Sequence, residues 1–595
     1  MQVPGLVRFV VRAALLAAVG IVGHGPAHGA EIEGRAQLDV SNNSVCLGCH
    51  SNPVFATPGA DEKIRSLHVS EAVFAASVHG KMQFPCVTCH VRIKGLPHKK
   101  PTVTPAEWRR SIPDLCGNCH AKQRAAYEKS VHGDEVIWKN NAKAAVCSDC
   151  HRPHEVERPA TASARLAITQ NCGNCHANSL KSYTQTYHGQ ITRLGYAYTA
   201  KCFNCHGSHG IQRTRDPNSK VHPDNRLKTC QQCHTGATKG FVTFEPHANT
   251  HDYGRYPYMW AASKFMIALL LSVFAFFWTH STLWFYREYR DRRDRRDRRE
   301  GDRREDKSAP HVVTGELPQL QGKHFSRFGP AWRIAHLAFA GSVMMLVLTG
   351  MAVLYAETGW AKFIVGALGG PRAAGILHRV SAAIMLGIFF IHLVYMAIRV
   401  VPTWKLSHWF GPTSLVPNWK DLRDMLAMFE WFLGKGPRPA FDRWTYWEKF
   451  DYWAVFWGMA IIGGSGMMLA FKETIASVLP GWVFNVATLV HGEEAILAAV
   501  FLFTVHFFNN HFRPDKFPLD IVMFTGAIPL EEFKREHTLE YKRLVQTGQL
   551  EKYLVDAPSQ PMTLGSTLLG FTLIGVGLTL LVLVFVGFAG VLNGS

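Results

Sequence analysis

All fourteen cysteines of this 595-residue chain fall in seven Cys-x-x-Cys-His motifs. They are Cys46-Cys49-His50, Cys86-Cys89-His90, Cys116-Cys119-His120, Cys147-Cys150-His151, Cys172-Cys175-His176, Cys202-Cys205-His206 and Cys230-Cys233-His234. The motif is the attachment signature of c-type haem: two thiols form thioethers to the porphyrin and the adjacent histidine supplies the proximal iron ligand. A disulfide framework would not require a histidine after every second cysteine. Structural zinc sites would pair the motifs, and seven is odd. A thioredoxin-like dithiol would occur once, beside a βαβ pattern. The expectation is seven covalent haems.

The motifs repeat as a unit of first motif, His-Gly and second motif. Ser77-Val78-His79-Gly80, Ser130-Val131-His132-Gly133 and Thr186-Tyr187-His188-Gly189 lie inside the first three units, and Cys230 opens a fourth without a second motif. First cysteines 116, 172 and 230 stand 56 and 58 residues apart, which predicts haem pairs strung in a row. Residues 31–259 hold 17 histidines, so ten remain after the seven proximal ones. Six occupy repeated positions and are the expected sixth ligands: His79, His132 and His188 in the His-Gly steps, and His98, His154 and His209 after the second motifs. His68, His222, His247 and His251 compete for the seventh place. Iron held by two histidines has no open position, so these haems should relay electrons. With few apolar segments here, the haems themselves should form the core, wrapped by short helices and loops.

The net charge is +19, but the basic residues border apolar runs and haem motifs, so no nucleic acid is expected as partner. Residues 1–30 read as a secretory signal, with Arg8 and Arg12 before the short apolar run Ala13 to Val22 and a cleavage site near Ala27-His28-Gly29 or Ala30.

The second half is different in kind. Apolar segments 260–286, 334–356, 373–398, 452–471, 482–508 and 564–592 are each long enough to cross a bilayer as a helix. The fold class is therefore mainly α: a loop-rich multihaem domain at 31–259, a first span at 260–286, a charged linker at 287–330, a four-helix domain at 331–513, a segment at 514–563 and a last span at 564–592. Residues 287–307 carry ten Arg and one Lys. The positive-inside rule puts them in the cytoplasm and the haem domain on the opposite, periplasmic face of a bacterial inner membrane. The loops 400–450 and 509–563 then share the cytoplasmic side.

Ionisable residues inside spans tend to be functional. His378 and His392 lie 14 residues apart in one segment, and His491 and His506 lie 15 apart in another. At 1.5 Å per residue each pair is separated by roughly 21–23 Å. Two levels of facing histidines can hold two b haems, one near each membrane face. Arg399 and Arg513 each follow the inner histidine by seven residues, which supports the matched depth. At the inner level either His392 or His336 faces His506. His280 in the first span reads as a hydrogen-bonded interhelical residue.

The multihaem c motifs followed by these membrane histidines resemble the Cbc-type inner-membrane cytochrome bc menaquinol oxidoreductases of metal-respiring bacteria, over nearly the whole mature chain. The membrane half also resembles the dihaem cytochrome b subunits of formate dehydrogenases and nickel–iron hydrogenases. Arg333-Ile334-Ala335-His336 with Leu348-Thr349-Gly350 is similar to the first helix of that family, whose histidine ligates the inner haem. His378 matches the second-helix ligand, and His491 and His506 match the two fourth-helix ligands. His392 departs from that pattern; two spaced histidines on two parallel helices instead resemble the quinol-oxidising cytochrome b of bc complexes.

The resemblance and the two haem sets together imply oxidation of a membrane quinol, with menaquinol the expected one. Electrons would pass through two b haems and seven c haems to periplasmic c-type cytochromes or other acceptors, as in anaerobic or extracellular respiration. Glu493, Glu494 and Glu357, all near the outer face, are candidate acceptors for the quinol protons. The competing readings are quinone reduction by the same parts in reverse, a multihaem reductase of nitrite, hydroxylamine or an oxidised sulfur compound, and a subunit that only anchors a separate catalytic partner.

Overall fold

The computed structural model describes residues 39–58, 64–98, 103–305, 320, 322–399, 401–403, 405 and 409–594. The expected signal at 1–30 and part of the charged linker lie outside the described residues. The protein is mainly helical and divides into two compact units, one ending at Ser111 and one beginning at Ile112.

The first unit carries the first two motifs. Its helix Asn43–His50 ends on the first proximal histidine, and a short antiparallel hairpin pairs Ala56–Pro58 with Ile64–Ser66. The Asn43 side chain joins the two motifs: its Nδ2 donates to the Phe84 carbonyl at 3.0 Å and its Oδ1 accepts from the Cys86 N–H at 2.7 Å.

The second unit holds motifs three to seven and the membrane helices. Motifs three, five and seven sit at the C-terminal ends of helices Pro105–Gly117, Ala162–Gly173 and Pro223–Gln231. Motifs four and six form the single turns Cys147–His151 and Cys202–His206. Each turn is opened by a side chain three residues in: Asp149 accepts from the Val146 N–H at 2.7 Å and Asn204 from the Lys201 N–H at 3.0 Å.

The Ser/Thr-x-His-Gly steps have a common physical basis in both units. The hydroxyls of Ser77, Ser130 and Thr186 cap a new turn by accepting from the N–H of Gly80, Gly133 and Gly189 at 3.0, 3.0 and 3.3 Å. A Cβ on those glycines would lie 1.9, 1.9 and 2.1 Å from the carbonyl oxygens of Phe74, Tyr127 and Tyr183. Only glycine allows the chain to fold back so tightly, and the fold-back fixes the direction of the histidine between cap and glycine.

Among the described residues six helices are long and apolar enough to cross a membrane: Pro257–Asp294, Pro330–Leu354, Pro371–Arg399, Tyr446–Ala470, Trp482–Phe512 and Gln560–Gly590. They fall on the six predicted segments with ends shifted by a few residues. Three begin at a proline, the residue best tolerated in a first helical turn. The second, fifth and sixth spans share a core in which Met351 and Tyr355 meet Val500, Phe503 and Val584. The fourth span contains a π-turn at Met459–Gly463 and the fifth two more, at Leu502–His506 and Phe508–Phe512. Such turns insert a residue and re-aim side chains, frequently at functional sites.

On the side of the arginine-rich helix, the connecting segments form a small folded layer. Strand His324–Ser326 pairs antiparallel with Ala527–Pro529 and Leu554–Val555, over a core of Phe325, Ile528, Leu530 and Phe533. Beneath it Arg513, with 1% of its side chain exposed, binds Glu536 at 2.5 Å and stacks on Trp284 at 4.8 Å. Lys516 reaches Asp520, Glu532 and Glu536. This network clamps the end of the first span to the end of the fifth.

Candidate haem centres and their junction

Within the first unit His50 and His98 face each other, ring centroids 6.2 Å apart and planes 6° from parallel. Within the second, His132 faces His176 at 6.2 Å, His151 faces His209 at 6.0 Å, His188 faces His234 at 6.1 Å and His206 faces His247 at 6.3 Å. Iron bonded to two imidazole nitrogens at about 2 Å each holds the ring centroids about 6 Å apart, so each gap fits one six-coordinate iron. Among the described residues no group of three His, Cys, Asp or Glu could hold a bare metal ion. The arrangement suits an iron whose other four ligands come from a porphyrin. None of the fourteen thiols is tied up in a disulfide, so all are available for attachment.

Ring protonation agrees. The Nδ1 of His50 lies 2.8 Å from the Leu67 carbonyl, which can only accept, so Nδ1 carries the proton and Nε2 is bare. Burial, and then the facing His234, push His188 down to about 4. Burial and the facing imidazole likewise lower His132, His151 and His206, and burial lowers His247, keeping them neutral and ligand-competent.

The thiols define the row. The first cysteines of the two motifs in each repeat touch: Cys46 with Cys86, Cys116 with Cys147, and Cys172 with Cys202. Between repeats, Cys150 interacts with Cys172 and Cys175, and Cys205 with Cys230 and Cys233. Motifs three to seven therefore form an unbroken series.

Four of the six repeated-position histidines, His98, His132, His188 and His209, face a proximal histidine in this way. His247, one of four competitors for the last place, faces His206. Of the other three, His222 caps a helix by accepting from the Asp224 N–H at 3.4 Å, His251 binds Asn249, and His68 is exposed. His79 sits in its capped turn with Phe84 5.8 Å away, His154 follows motif four on a turn, and His90 lies parallel to Trp108 at 6.0 Å.

In the membrane half His378 and His491 face each other at 6.4 Å. Their surroundings match across the pair. His378 Nδ1 lies 2.9 Å from Thr349 Oγ1 and His491 Nδ1 3.0 Å from Ser465 Oγ. Both hydroxyls donate to their own helix, Thr349 to Met345 O at 2.7 Å and Ser465 to Ile461 O at 2.6 Å. Each must therefore accept Nδ1–H, leaving both Nε2 atoms free for iron. The next residue is glycine in both cases. A Cβ at Gly350 would stand 3.4 Å from His378 Cε1, and one at Gly466 3.1 Å from His491 Cε1. Ser465-Gly466 thus mirrors Thr349-Gly350, a correspondence visible in the sequence once the two histidines are paired. Gly466→Val is expected to push His491 off its position and lower the b-to-c haem ratio in a pyridine haemochrome assay; an unchanged ratio would show that the close approach is dispensable.

At the other level the two candidate partners of His506, His392 and His336, have different surroundings. His392 Nε2 lies 2.7 Å from the Tyr452 hydroxyl, and Trp332 and Phe456 close on its ring edge-on. His336 is close enough for His506 and His511, a residue the sequence pattern left unmarked, to act on it electrostatically. His506 Nδ1 donates to Asp451 at 3.1 Å. His280 is buried against Tyr446 and Phe432, as an interhelical hydrogen-bonded histidine should be.

The two halves meet where the c series ends. The His234 side chain reaches Glu473 on the turn Lys472–Ile475 between the fourth and fifth spans. The charges of Lys472 and of Arg379, the neighbour of His378, act electrostatically on His188 and Tyr187. Asn485 and Glu245 exchange two hydrogen bonds at 2.8 and 3.0 Å, and Arg193 pairs with Glu357 at 3.1 Å.

A family model of cytochrome c7 and related cytochrome c matches residues 72–152. No curated protein and no solved structure matches the chain. The match and the six apolar helices define a membrane-associated electron-transfer protein with a multihaem c-type domain.

Proposed function

We propose that the protein is a quinol oxidoreductase of the bacterial inner membrane that oxidises menaquinol and delivers electrons to periplasmic c-type cytochromes. The supporting observation is the junction, where the last motif of the c series meets the membrane half through Glu473–His234, Asn485–Glu245 and Arg193–Glu357, with Arg379, the neighbour of His378, close enough to act electrostatically on Tyr187. Seven covalent c haems and two b haems would supply one-electron carriers along this line. His378 with His491 would hold the outer b haem, and His336 with His506 the inner, in preference to His392. His79 and His154 would be the sixth ligands of the two c sites not yet assigned one.

A quinol gives up two electrons and two protons, so its site needs proton acceptors. Glu494 fits best: it is buried, its Oε1 accepts from Trp457 Nε1 at 2.8 Å, and its Oε2 has no hydrogen-bond partner among the described residues. Glu493 is close enough to act electrostatically on Tyr355, whose hydroxyl is also buried with no hydrogen-bond partner among the described residues. Glu357, paired with Arg193, serves the junction.

In membranes, a menaquinol analogue is expected to reduce the b haems and then the c haems; if it reduces neither, the proposal fails. Glu494→Gln should slow c-haem reduction by about a hundredfold while dithionite still reduces every haem. An unchanged rate would remove Glu494 from the site.

A further inference from the structure

We infer that Glu473 is a positioning residue that sets the reduction potential of the last c haem, through its hydrogen bond to the proximal ligand His234. The inference deepens the proposed function and rests on its reading of His234 as an iron ligand. Glu473 lies outside the haem-binding sequence altogether, 239 residues beyond His234, on the turn joining the fourth and fifth spans.

The carboxylate is engaged at both oxygens. Oε1 stands 3.3 Å from His234 Nδ1, and Oε2 accepts from the Gly236 N–H at 3.2 Å. A Cβ at position 236 would come within 2.5 Å of Oε2, so the approach depends on glycine there. Thr238 Oγ1 donates to the Ala476 carbonyl at 2.8 Å and holds the two turns together.

Two other imidazoles of the c series meet uncharged acceptors at Nδ1. His50 has a backbone carbonyl and His247 the hydroxyl of Ser182. An acceptor carrying full negative charge draws the Nδ1 proton more strongly and makes Nε2 a better donor to iron. It also favours the more positive ferric state, lowering the potential; hydrogen bonding around the ligand is one of the protein's main levers on haem iron. Because Glu473 belongs to the membrane half, the level at which electrons cross between the halves is set by the half they cross from or to.

The test is a potentiometric titration of purified full-length holoprotein, followed in the c α-band, for wild type, Glu473→Gln and Thr238→Val. Glu473→Gln keeps the shape and an acceptor but removes the charge. It is expected to shift one c transition upward by about 59 mV, a tenfold change for one electron, leaving the other c transitions in place. Thr238→Val removes a hydrogen bond between the same two turns that does not involve Glu473, and so should leave all transitions in place. If Glu473→Gln moves none, or if Thr238→Val produces the same shift, the assignment to Glu473 is overturned. A haem count separates this from the underlying reading: fewer than seven c haems in wild type would refute that reading instead.

Discussion

Replacing His491 by alanine is expected to remove one b haem per chain, taking the haemochrome ratio from two b per seven c to one per seven. Reduction of the c haems by a menaquinol analogue should fall to background, while dithionite still reduces all seven. The expectation follows from the geometry around the pair. Each imidazole is held at Nδ1 by a hydroxyl whose own proton is committed to its helix, and the two ring centroids lie 6.4 Å apart. Neither ligand has a substitute within its own hydrogen-bonded setting. His378→Ala should give the same result, and the double variant should be no worse, because residues acting as one unit are not additive. Ser465→Ala should retain the haem, since the Ile462 carbonyl, 3.1 Å from His491 Nδ1, still accepts its proton. If His491→Ala keeps two b haems, the outer site has been placed wrongly.

The second large effect concerns the opposite end of the membrane half. Burial alone would raise Glu536, but Arg513 and Lys516 outweigh it and hold the carboxyl well below its usual range. Glu536→Gln leaves two buried cations short of a counter-charge and is expected to cost roughly 3–5 kcal/mol. Denaturation of detergent-solubilised protein followed by tryptophan fluorescence would report it, since Trp284 lies beneath Arg513. Pairing Glu536→Gln with Arg513→Met should recover part of the loss, because a missing pair is less costly than a broken one. The pH dependence has a definite sign. A carboxyl lowered in the folded state contributes its stability above its unfolded value, near 4.5, and loses it as pH falls further through the folded value. Wild type should therefore lose this contribution only in acid below that point, whereas Glu536→Gln should lack it at neutral pH. An unchanged midpoint for Glu536→Gln would show the network to be dispensable.

Much of the candidate machinery is legible in the sequence because haem attachment and bilayer crossing are local requirements. Two thiols and a histidine must be adjacent in the chain to hold one porphyrin, so seven candidate attachment motifs can be read directly. A span needs an uninterrupted apolar run, so six helices can be placed to within a few residues. The Ser/Thr-x-His-Gly steps were recognisable as repeats, and the structure supplies their reason: a hydroxyl cap and a glycine that admits the Tyr127 or Tyr183 carbonyl.

Partnership between distant residues was not legible. His247 carries no repeated spacing and looked no better than His222, yet it is the one that faces His206. His392 sits at the right depth for His506, but depth along a helix leaves rotation about its axis open, and rotation turns its ring to Tyr452. Glu473 meets His234 across 239 residues of chain, a contact no spacing could announce. The sequence by itself determined which residues form the haem-attachment motifs and which segments are long and apolar enough to cross a membrane, because those demands act between neighbours in the chain. Which histidine faces which, and where the two halves touch, was decided by tertiary packing, since helix rotation and the docking of turns depend on all the surfaces meeting at once.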